Sequence, residues 1–246
     1  MCAEEGAGEP RGYDWRGLLH GAAAALSLAG LVMAASFMGF GALLRSLDFS
    51  LLAGLATIPL IWALPGQVVF VDSFDKGLGL VATVLAVSIT AVRLMPITVL
   101  VLSQTRVKHA RRWPEFVAAH FVAITLWLLS NQKLEGVPYR QRIPWLIGLG
   151  AALCASMIGF SSLGYVLAEL LPLPLAAALV FFTPAFFLVS LLSGIRWRFE
   201  YVALLLGAAL GPMTYSVAPE LDLFVAGLVG GTAAYLLHRI PGSSGK

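Results

Sequence analysis

The chain has 246 residues, of which 59% are apolar and 12% are charged. A soluble domain carries about 25% charged residues, so this composition excludes a water-soluble enzyme and a disordered chain. The net charge of +3 is too small to indicate binding to a phosphate backbone, and no nucleic-acid partner is expected. The composition predicts an all-α, polytopic (multi-pass) helical bundle embedded in the lipid bilayer.

The predicted elements begin with a polar N-terminal tail over residues 1–15, which lacks the cationic start and apolar core of a signal peptide. The first apolar stretch, 18–44, exceeds the roughly 20 residues that cross a hydrocarbon core. Seven further apolar runs follow, at about 49–71, 78–103, 116–130, 144–168, 173–194, 199–217 and 221–238. Residues 16–239 are therefore predicted to form a single transmembrane domain, followed by a polar C-terminal tail over 240–246.

The distribution of Lys and Arg predicts which connections face the cytoplasm. Connection 104–114 carries four cations and connection 131–143 carries three, so both are expected inside. A full crossing by 116–130 would place them on opposite sides, and this run is short for a crossing. We therefore expect seven crossings plus one short or re-entrant segment, with the N-terminus outside. Eight crossings are the alternative.

An internal repeat is visible at an offset of 120 residues. Ala35–Gly41, with the sequence ASFMGFG, recurs as Ala155–Ser161, with the sequence ASMIGFS. One residue of slippage then aligns Pro65 with Pro184 in the following apolar runs. Chance matching between two apolar helices is the alternative explanation.

The repeat predicts an organisation of the transmembrane domain. Repeat one covers about 18–103 and repeat two about 144–217, with a linker and short segment at 104–143 and a final helix at 221–238. In the seven-crossing topology the two copies begin on opposite sides of the membrane and form an inverted repeat. Many secondary transporters are built in this way, with substrate sites on interrupted helices at the repeat interface.

Two proline positions are predicted to interrupt helices. Pro65 removes a backbone donor, the adjacent Gly66 relaxes the backbone, and Gln67 adds a polar side chain at the break. Thr183 and Pro184 form the equivalent break in the second repeat. Backbone groups freed inside a membrane must face protein, water or ligand, so both breaks are candidate substrate sites. Simple structural kinks are the alternative.

Two ionisable residues lie inside apolar runs. Arg93 stands three residues before Pro96, and a charge at that depth indicates function unless the side chain snorkels to the headgroups. His120 lies in the short segment, and histidine changes charge between about pH 5 and 8, so it could couple transport to protons. Hydrogen bonding to a carbonyl is the alternative role for His120. The acidic residues all fall near the ends of the runs.

No catalytic signature, metal-ligand spacing or nucleotide-binding loop is present in the sequence. Cys2 and Cys154 lie far apart and do not indicate a metal site or a disulfide framework. The chain is therefore expected to be neither an enzyme nor a cofactor-binding protein.

The order and spacing of these features resemble the AzlC family, the large subunits of two-component branched-chain amino-acid exporters. The resemblance covers residues from about 16 to 237. The family closes its second run with aromatic-Ala-Gly-Ala-x-Gln-Phe, and here Trp62–Val68 reads WALPGQV and keeps Gln67. A later family pattern has Asn or Asp, any residue, Arg, and His or an aromatic. Here Ala91–Leu94 reads AVRL, which keeps Arg93 without its polar neighbours.

The resemblance implies a permease of the bacterial inner membrane that exports small neutral amino acids of the branched-chain type. It also implies a small AzlD-type membrane subunit as the partner. The expected substrate-binding residues are Pro65, Gly66, Gln67, Arg93, Pro96, Thr183 and Pro184, and His120 is the coupling candidate. Two alternatives are a non-transporting subunit of a transport complex and a permease for another small solute energised by a partner ATPase.

Overall fold

The computed structural model describes residues 12–92, 94–105, 107, 112–170, 172–194, 198–215 and 222–239. These residues form α-helices and two short 3-10 turns but no strand, which confirms the all-α prediction. The helices are α1 Gly17–Ala24, α2 Leu28–Ser46, α3 Leu51–Leu60, α4 Leu64–Asp75, α5 Leu80–Val92, α6 Met95–Ser103, α7 Trp113–His120, α8 Ile124–Lys133, α9 Arg142–Val166, α10 Leu173–Gly194, α11 Arg198–Tyr215 and α12 Asp222–Arg239.

Each of the first four apolar runs is divided into two helices, whereas each of the last four contains one. Among the described residues, two stretches have the length and composition to cross a membrane, namely Leu28–Ser46 and Tyr139–Val166. Two bent pairs raise this number to at most four: α5 with α6, bent by 43°, and Trp113–His120 with Ile124–Gly136, bent by 115°. The predicted count of seven or eight crossings is therefore not confirmed.

The chain divides into two compact units that are both discontinuous in sequence. Unit 1 comprises Met1–Leu64 and Leu94–Phe182, and unit 2 comprises Pro65–Arg93 and Thr183–Lys246. Within unit 2, α11 packs on α12. A Cβ added to Gly230 of α12 would lie 3.4 Å from the backbone nitrogen of Gly207 in α11.

Unit 1 is organised around a close contact between α9 and the α1–α2 segment. Glycines make this contact possible, since a Cβ on Gly41 or Gly164 would overlap the backbone of the facing helix. The contacts advance together along both partners: Gly17 with Gln141, Gly21 with Trp145, Gly30 with Leu153, Phe37 with Ser161, and Arg45 with Glu169. The two partners therefore run parallel, from a Gln141 end to a Glu169 end.

This parallel packing bears on the predicted repeat. The two copies of the repeated segment face each other in unit 1, where the Ser161 hydroxyl donates to the Phe37 carbonyl at 3.1 Å. Helices related by an inverted repeat run in opposite directions, whereas α2 and α9 run in the same direction. The inverted arrangement is therefore not confirmed, and these two helices have the relation of a parallel repeat.

The segment before α1 is fastened to the Gln141 end of unit 1. The backbone N–H of Asp14 donates to the Arg140 carbonyl at 3.0 Å, and the Gln141 side chain donates to Asp14 Oδ2 at 2.6 Å. Trp15 stacks on Trp113 with ring centroids 6.0 Å apart. These contacts hold the N-terminal segment against Trp113, where α7 begins, and against Arg140 and Gln141, which follow α8 in the sequence.

Hydrogen bonds to the Asp14 carboxyl also favour its charged form. The backbone N–H of Arg16 donates to Asp14 Oδ1 at 3.1 Å, and together with the Gln141 side chain it holds the pKa of the Asp14 carboxyl below its usual value. A carboxyl with a lowered pKa contributes its stabilisation above its unfolded pKa and loses it as the pH falls through the lowered value. The fastening is therefore intact at neutral pH and weakens only in acid.

The α7–α8 pair is a hairpin that enters and leaves unit 1 at the same end. It begins at Trp113, beside Trp15, and the chain returns to the Gln141 end at Arg140. Its bend at residues 121–123 lies against Gly150, about 12 Å along α9 from Arg142 at 1.5 Å per residue. We call α7–α8 the re-entrant hairpin and residues 121–123 its tip. This geometry supports the prediction of a re-entrant segment at 116–130.

The N-terminal segment from Gly12, the first described residue, differs in position from the prediction for the N-terminus. It was expected on the side of the membrane opposite to connections 104–114 and 131–143. In unit 1 it lies at the same end as both, because the Gln104 carbonyl accepts from Arg142 at 2.9 Å and Asp14 contacts Arg140 and Gln141. Arg16 belongs to this segment, and its positive charge favours the same side as the two basic connections. Arg106, Lys108 and Arg111 lie outside the described residues.

We predict that Gly12 and Gly136 face the same side of the membrane and that Glu169 faces the other. Single cysteines at these positions, in a background with Cys2 and Cys154 replaced by serine, report their side through labelling with a membrane-impermeant maleimide. Gly12→Cys and Gly136→Cys should react only from the cytoplasmic side, and Glu169→Cys only from the outside. If Gly12→Cys and Glu169→Cys were labelled from the same side of the membrane, the result would contradict the packing of unit 1.

Candidate functional site

Two helix breaks meet inside unit 1, at the end of α3 and at the tip of the re-entrant hairpin. The α3 helix enters from the Glu169 end, where Gly54 packs on the Leu44 side chain of α2. It ends at Leu60, and α4 begins only at Leu64. The hairpin enters from the Gln141 end, so the two incomplete helices approach each other from opposite ends of the unit.

The end of α3 leaves backbone carbonyls without helical partners. Pro59 lies within its last turn and lacks an N–H, and a helix also leaves its last carbonyls unsatisfied. The Ile61 N–H closes the final turn onto the Thr57 carbonyl at 2.7 Å, and the Ala63 N–H then turns back onto the Ile61 carbonyl at 2.7 Å. The Pro59 carbonyl is consequently free to accept a hydrogen bond from another element.

His120 supplies that hydrogen bond from the last residue of α7. Its Nε2 lies 2.7 Å from the Pro59 carbonyl oxygen. A carbonyl can only accept, so Nε2 carries a proton and Nδ1 holds the lone pair of the neutral ring. The side chain is exposed within the structure, and the described residues give Nδ1 no hydrogen bond. His120 thus joins the two breaks, as its carbonyl-binding alternative anticipated.

Aromatic rings pack around this hydrogen bond. Trp62, in the break after α3, meets Phe121 edge to face with centroids 5.1 Å apart, and its ring centroid lies 6.4 Å from that of His120. Phe121 fills the space beside Gly150 of α9, where a Cβ would overlap its ring. Val122 is buried, and Ala123 is extended before α8 begins. Tertiary contacts, and not a proline or glycine, therefore place the tip.

The meeting point combines polar backbone groups with apolar walls. The α3 end presents carbonyl oxygens and the partial negative charge of a helix C-terminus, and His120 presents a titratable ring. Trp62 and Phe121 supply apolar surface. Many secondary transporters bind their substrates at pairs of interrupted helices.

The matched region contains both breaks. The family model described as AzlC protein matches residues 29–171, more than half of the chain. The chain belongs to the AzlC family. This family is associated with branched-chain amino-acid transport. No curated protein and no solved structure matches the chain.

The AzlC match and the apolar helices together indicate a membrane protein of a transporter family. The match runs from α2 to just beyond α9 and thus includes α3, the re-entrant hairpin and the Gly150 contact. It supports the resemblance to the AzlC family that Gln67 and Arg93 indicated.

The predicted site residues of this AzlC chain lie in both units. Pro65, Gly66 and Gln67 occupy the first turn of α4 in unit 2, where Gly66 and Gln67 are buried and Pro65 is exposed. The interruption therefore falls before Pro65, at residues 61–63, because proline is favoured in the first turn of a helix. Pro96 likewise lies exposed in the first turn of α6 in unit 1.

The remaining predicted residues have different outcomes. Arg93 lies outside the described residues, between the end of α5 and the start of α6 in sequence. The predicted break at Thr183–Pro184 is wrong as an interruption, since α10 continues through Pro184 from Leu173 to Gly194. A single proline removes one helical hydrogen bond, and membrane helices tolerate this loss. The assembly of the seven residues into one substrate site stays a prediction.

One regularity links all seven residues. The chain passes between the two units after residues 64, 93 and 182, and each predicted substrate-binding residue lies within three positions of one of these points. Pro59 and Phe121 were not among the predicted site residues, and Trp62 was predicted only as part of the WALPGQV motif. The proline-glycine step marks the neighbourhood of Trp62, but no helix breaker marks the tip beside Phe121.

We predict that Gly150→Ala displaces the tip of the re-entrant hairpin, because the new Cβ would overlap the Phe121 ring. Overpacking of this kind costs about 1–3 kcal/mol, so the melting temperature of the detergent-purified protein should fall by several degrees. Gly159→Ala is the matched control on the same helix, since a Cβ there meets nothing within 4 Å. Equal melting temperatures for the two variants would contradict the placement of Phe121.

Proposed function

We propose that this AzlC-family chain exports small neutral amino acids of the branched-chain type across the bacterial inner membrane, with a small AzlD-type membrane subunit. The observation that carries the proposal is the meeting of the α3 end with the tip of the re-entrant hairpin, joined by His120 and Pro59. Family membership supports the substrate class. The broken helices support a solute site, because polar backbone groups in a membrane must be matched by protein, water or ligand.

The proposed substrate suits this chemistry. A branched-chain amino acid is a zwitterion with a short apolar side chain. The carbonyl-rich end of α3 attracts the ammonium group, and the rings of Trp62 and Phe121 pack on aliphatic carbons. Gln67 and Arg93, the two residues of the AzlC pattern that this chain keeps, carry an amide and a cation, which are groups that bind a carboxylate.

The other predicted residues contribute through the backbone. Pro65 and Gly66 begin α4, Pro96 begins α6, and Thr183 with Pro184 lies in α10. Since these residues lie beside the three points where the chain passes between units, we propose that the backbone there changes conformation as the site is exposed alternately to each side. No enzymatic step is part of this proposal.

Efflux of preloaded, labelled amino acids tests the proposal. Cells expressing the chain with its small partner subunit should export valine, leucine, isoleucine or methionine faster than vector cells. Export by the chain alone would show that the partner is not required for translocation. Efflux from cells that express the partner without this chain would favour a non-transporting role for the chain, and strict dependence on ATP in proteoliposomes would favour a partner ATPase.

We predict that Arg93→Ala lowers the export rate at least ten-fold, because a charge-assisted hydrogen bond to a carboxylate is worth about 1.5–3 kcal/mol. Arg45→Ala is the matched control, since Arg45 lies at the Glu169 end beside Tyr165 and away from both breaks. Surface expression of the two variants must be equal. Normal export by Arg93→Ala would remove the arginine from the site.

We predict that His120→Gln abolishes the pH dependence of export while keeping the fold. A glutamine amide retains a donor for the Pro59 carbonyl but does not titrate, whereas His120→Ala loses both properties. Initial efflux rates measured between pH 5.5 and pH 8 should vary for the wild type and be flat for His120→Gln. His120→Ala should also melt at a lower temperature. An unchanged pH profile in His120→Gln would exclude His120 as the coupling residue.

A further inference from the structure

Trp62 occupies the break between α3 and α4, where the two incomplete helices of unit 1 meet. Its ring contacts Phe121 edge to face and lies beside His120. Because Phe121 is itself held against Gly150 of α9, the position of the indole is fixed by the tip of the re-entrant hairpin. The Trp62 side chain therefore lies at the point where the two incomplete helices meet, and not on the lipid-facing surface of a complete helix.

The indole Nε1 of Trp62 is buried, and the described residues offer it no hydrogen-bond acceptor. Buried indole N–H groups usually have a partner, because an unpaired donor keeps the full cost of its desolvation. The two ring neighbours of Trp62 do not supply one: Phe121 is apolar, and no hydrogen bond joins the indole to His120. An acceptor from outside the chain would complete this N–H.

The surroundings specify what that acceptor is. The Pro59 carbonyl end of α3 carries partial negative charge, so it favours a cationic group nearby and disfavours a second anion there. The neutral His120 ring has a lone pair on Nδ1, and the residue is exposed within the structure. The meeting point therefore contains hydrogen-bond acceptors, the Trp62 donor and aromatic carbon. This is the complement of an amino-acid zwitterion.

We propose that the indole N–H of Trp62 binds the carboxylate of the amino-acid substrate and that Phe121 packs on its aliphatic side chain. The proposal rests on the proposed export function and assigns two contact residues to it. Binding of the carboxylate draws the substrate's ammonium group toward the α3 carbonyl end and the Nδ1 atom of His120. No covalent or redox step is involved.

Trp127 provides a matched comparison within unit 1. Its Nε1 is also buried without an acceptor in the described part of the chain. Trp127 lies one turn into α8, however, and among the described residues its ring forms no aromatic pair with Trp62, His120 or Phe121. Replacing either tryptophan by phenylalanine removes one buried indole N–H and keeps an aromatic ring. Only the Trp62 variant removes an indole N–H from the meeting point.

The experiment measures leucine transport by the full chain with its small partner in proteoliposomes. Trp62→Phe should raise the KM for leucine about ten-fold or more, as expected for loss of a hydrogen bond to a charged group. Trp127→Phe should leave KM within about two-fold of the wild type. Similar melting temperatures and equal recovery with the partner show that both variants are folded and assembled.

Competition with leucinol separates a carboxylate contact from a general structural role. Leucinol keeps the ammonium group and the side chain but has an alcohol in place of the carboxylate. The wild type should prefer leucine over leucinol, and Trp62→Phe should lose most of that preference, whereas a merely structural defect would weaken both ligands equally. An unchanged preference in Trp62→Phe overturns the assignment of Trp62.

The outcomes distinguish this inference from the proposed function. Wild-type transport that Trp62→Phe leaves unchanged overturns the inference and keeps the function. A wild-type protein that neither transports nor binds any small neutral amino acid overturns both. Loss of the partner subunit from Trp62→Phe, without a change in the preference for leucine over leucinol, would show that the acceptor belongs to that subunit and would also overturn the inference.

Discussion

The close parallel contact between α9 and the α1–α2 segment determines how the rest of unit 1 is arranged. Apolar helices in lipid gain little from burying hydrophobic surface, so small residues that let backbones approach closely decide which helices associate. Here glycines on both partners, including Gly41 and Gly164, remove the side chains that would hold the backbones apart. The contact gives the unit two defined ends, brings the segment before α1 beside the return of the re-entrant hairpin, and leaves Gly150 as the recess that receives Phe121.

The candidate site is a consequence of helices that stop short. An α-helix that crosses the bilayer satisfies its own backbone, whereas one that ends inside leaves carbonyls or amides in an apolar medium. In unit 1 the carbonyl end of α3 and the tip of the hairpin relieve part of this cost through His120 and Pro59. The remaining polar groups lie close to aromatic rings, so a polar ligand with an apolar side chain fits where neither water nor lipid matches all of the surroundings.

Composition was sufficient to predict the all-α class, and the bounds of α9 and α10 follow almost directly from their apolar runs. The short apolar length of 116–130, together with its two basic flanks, predicts a short or re-entrant segment, and the structure bends the chain there by 115°. Its tip could not be located from sequence, because no proline or glycine stands at residues 121–123 and the bend depends on the contact with distant Gly150. The inverted repeat was not confirmed for a similar reason: a local sequence match carries no information about helix direction. Proline was also an imperfect guide, since Pro65 begins a helix and Pro184 lies within one.

The partners in the central contact of unit 1 are far apart in the order of synthesis. About a hundred residues separate the end of α2 from the start of α9, which at roughly 5–20 residues per second corresponds to about 5–20 seconds of translation. During that interval the glycine-lined face of α2 is in the membrane without the helix that it fits. Small-residue faces also associate with unrelated helices, so premature pairing competes with correct assembly until α9 is inserted. Slower elongation between α2 and α9 would therefore lengthen the exposure of this face and lower the yield of folded protein, without any change in the finished structure.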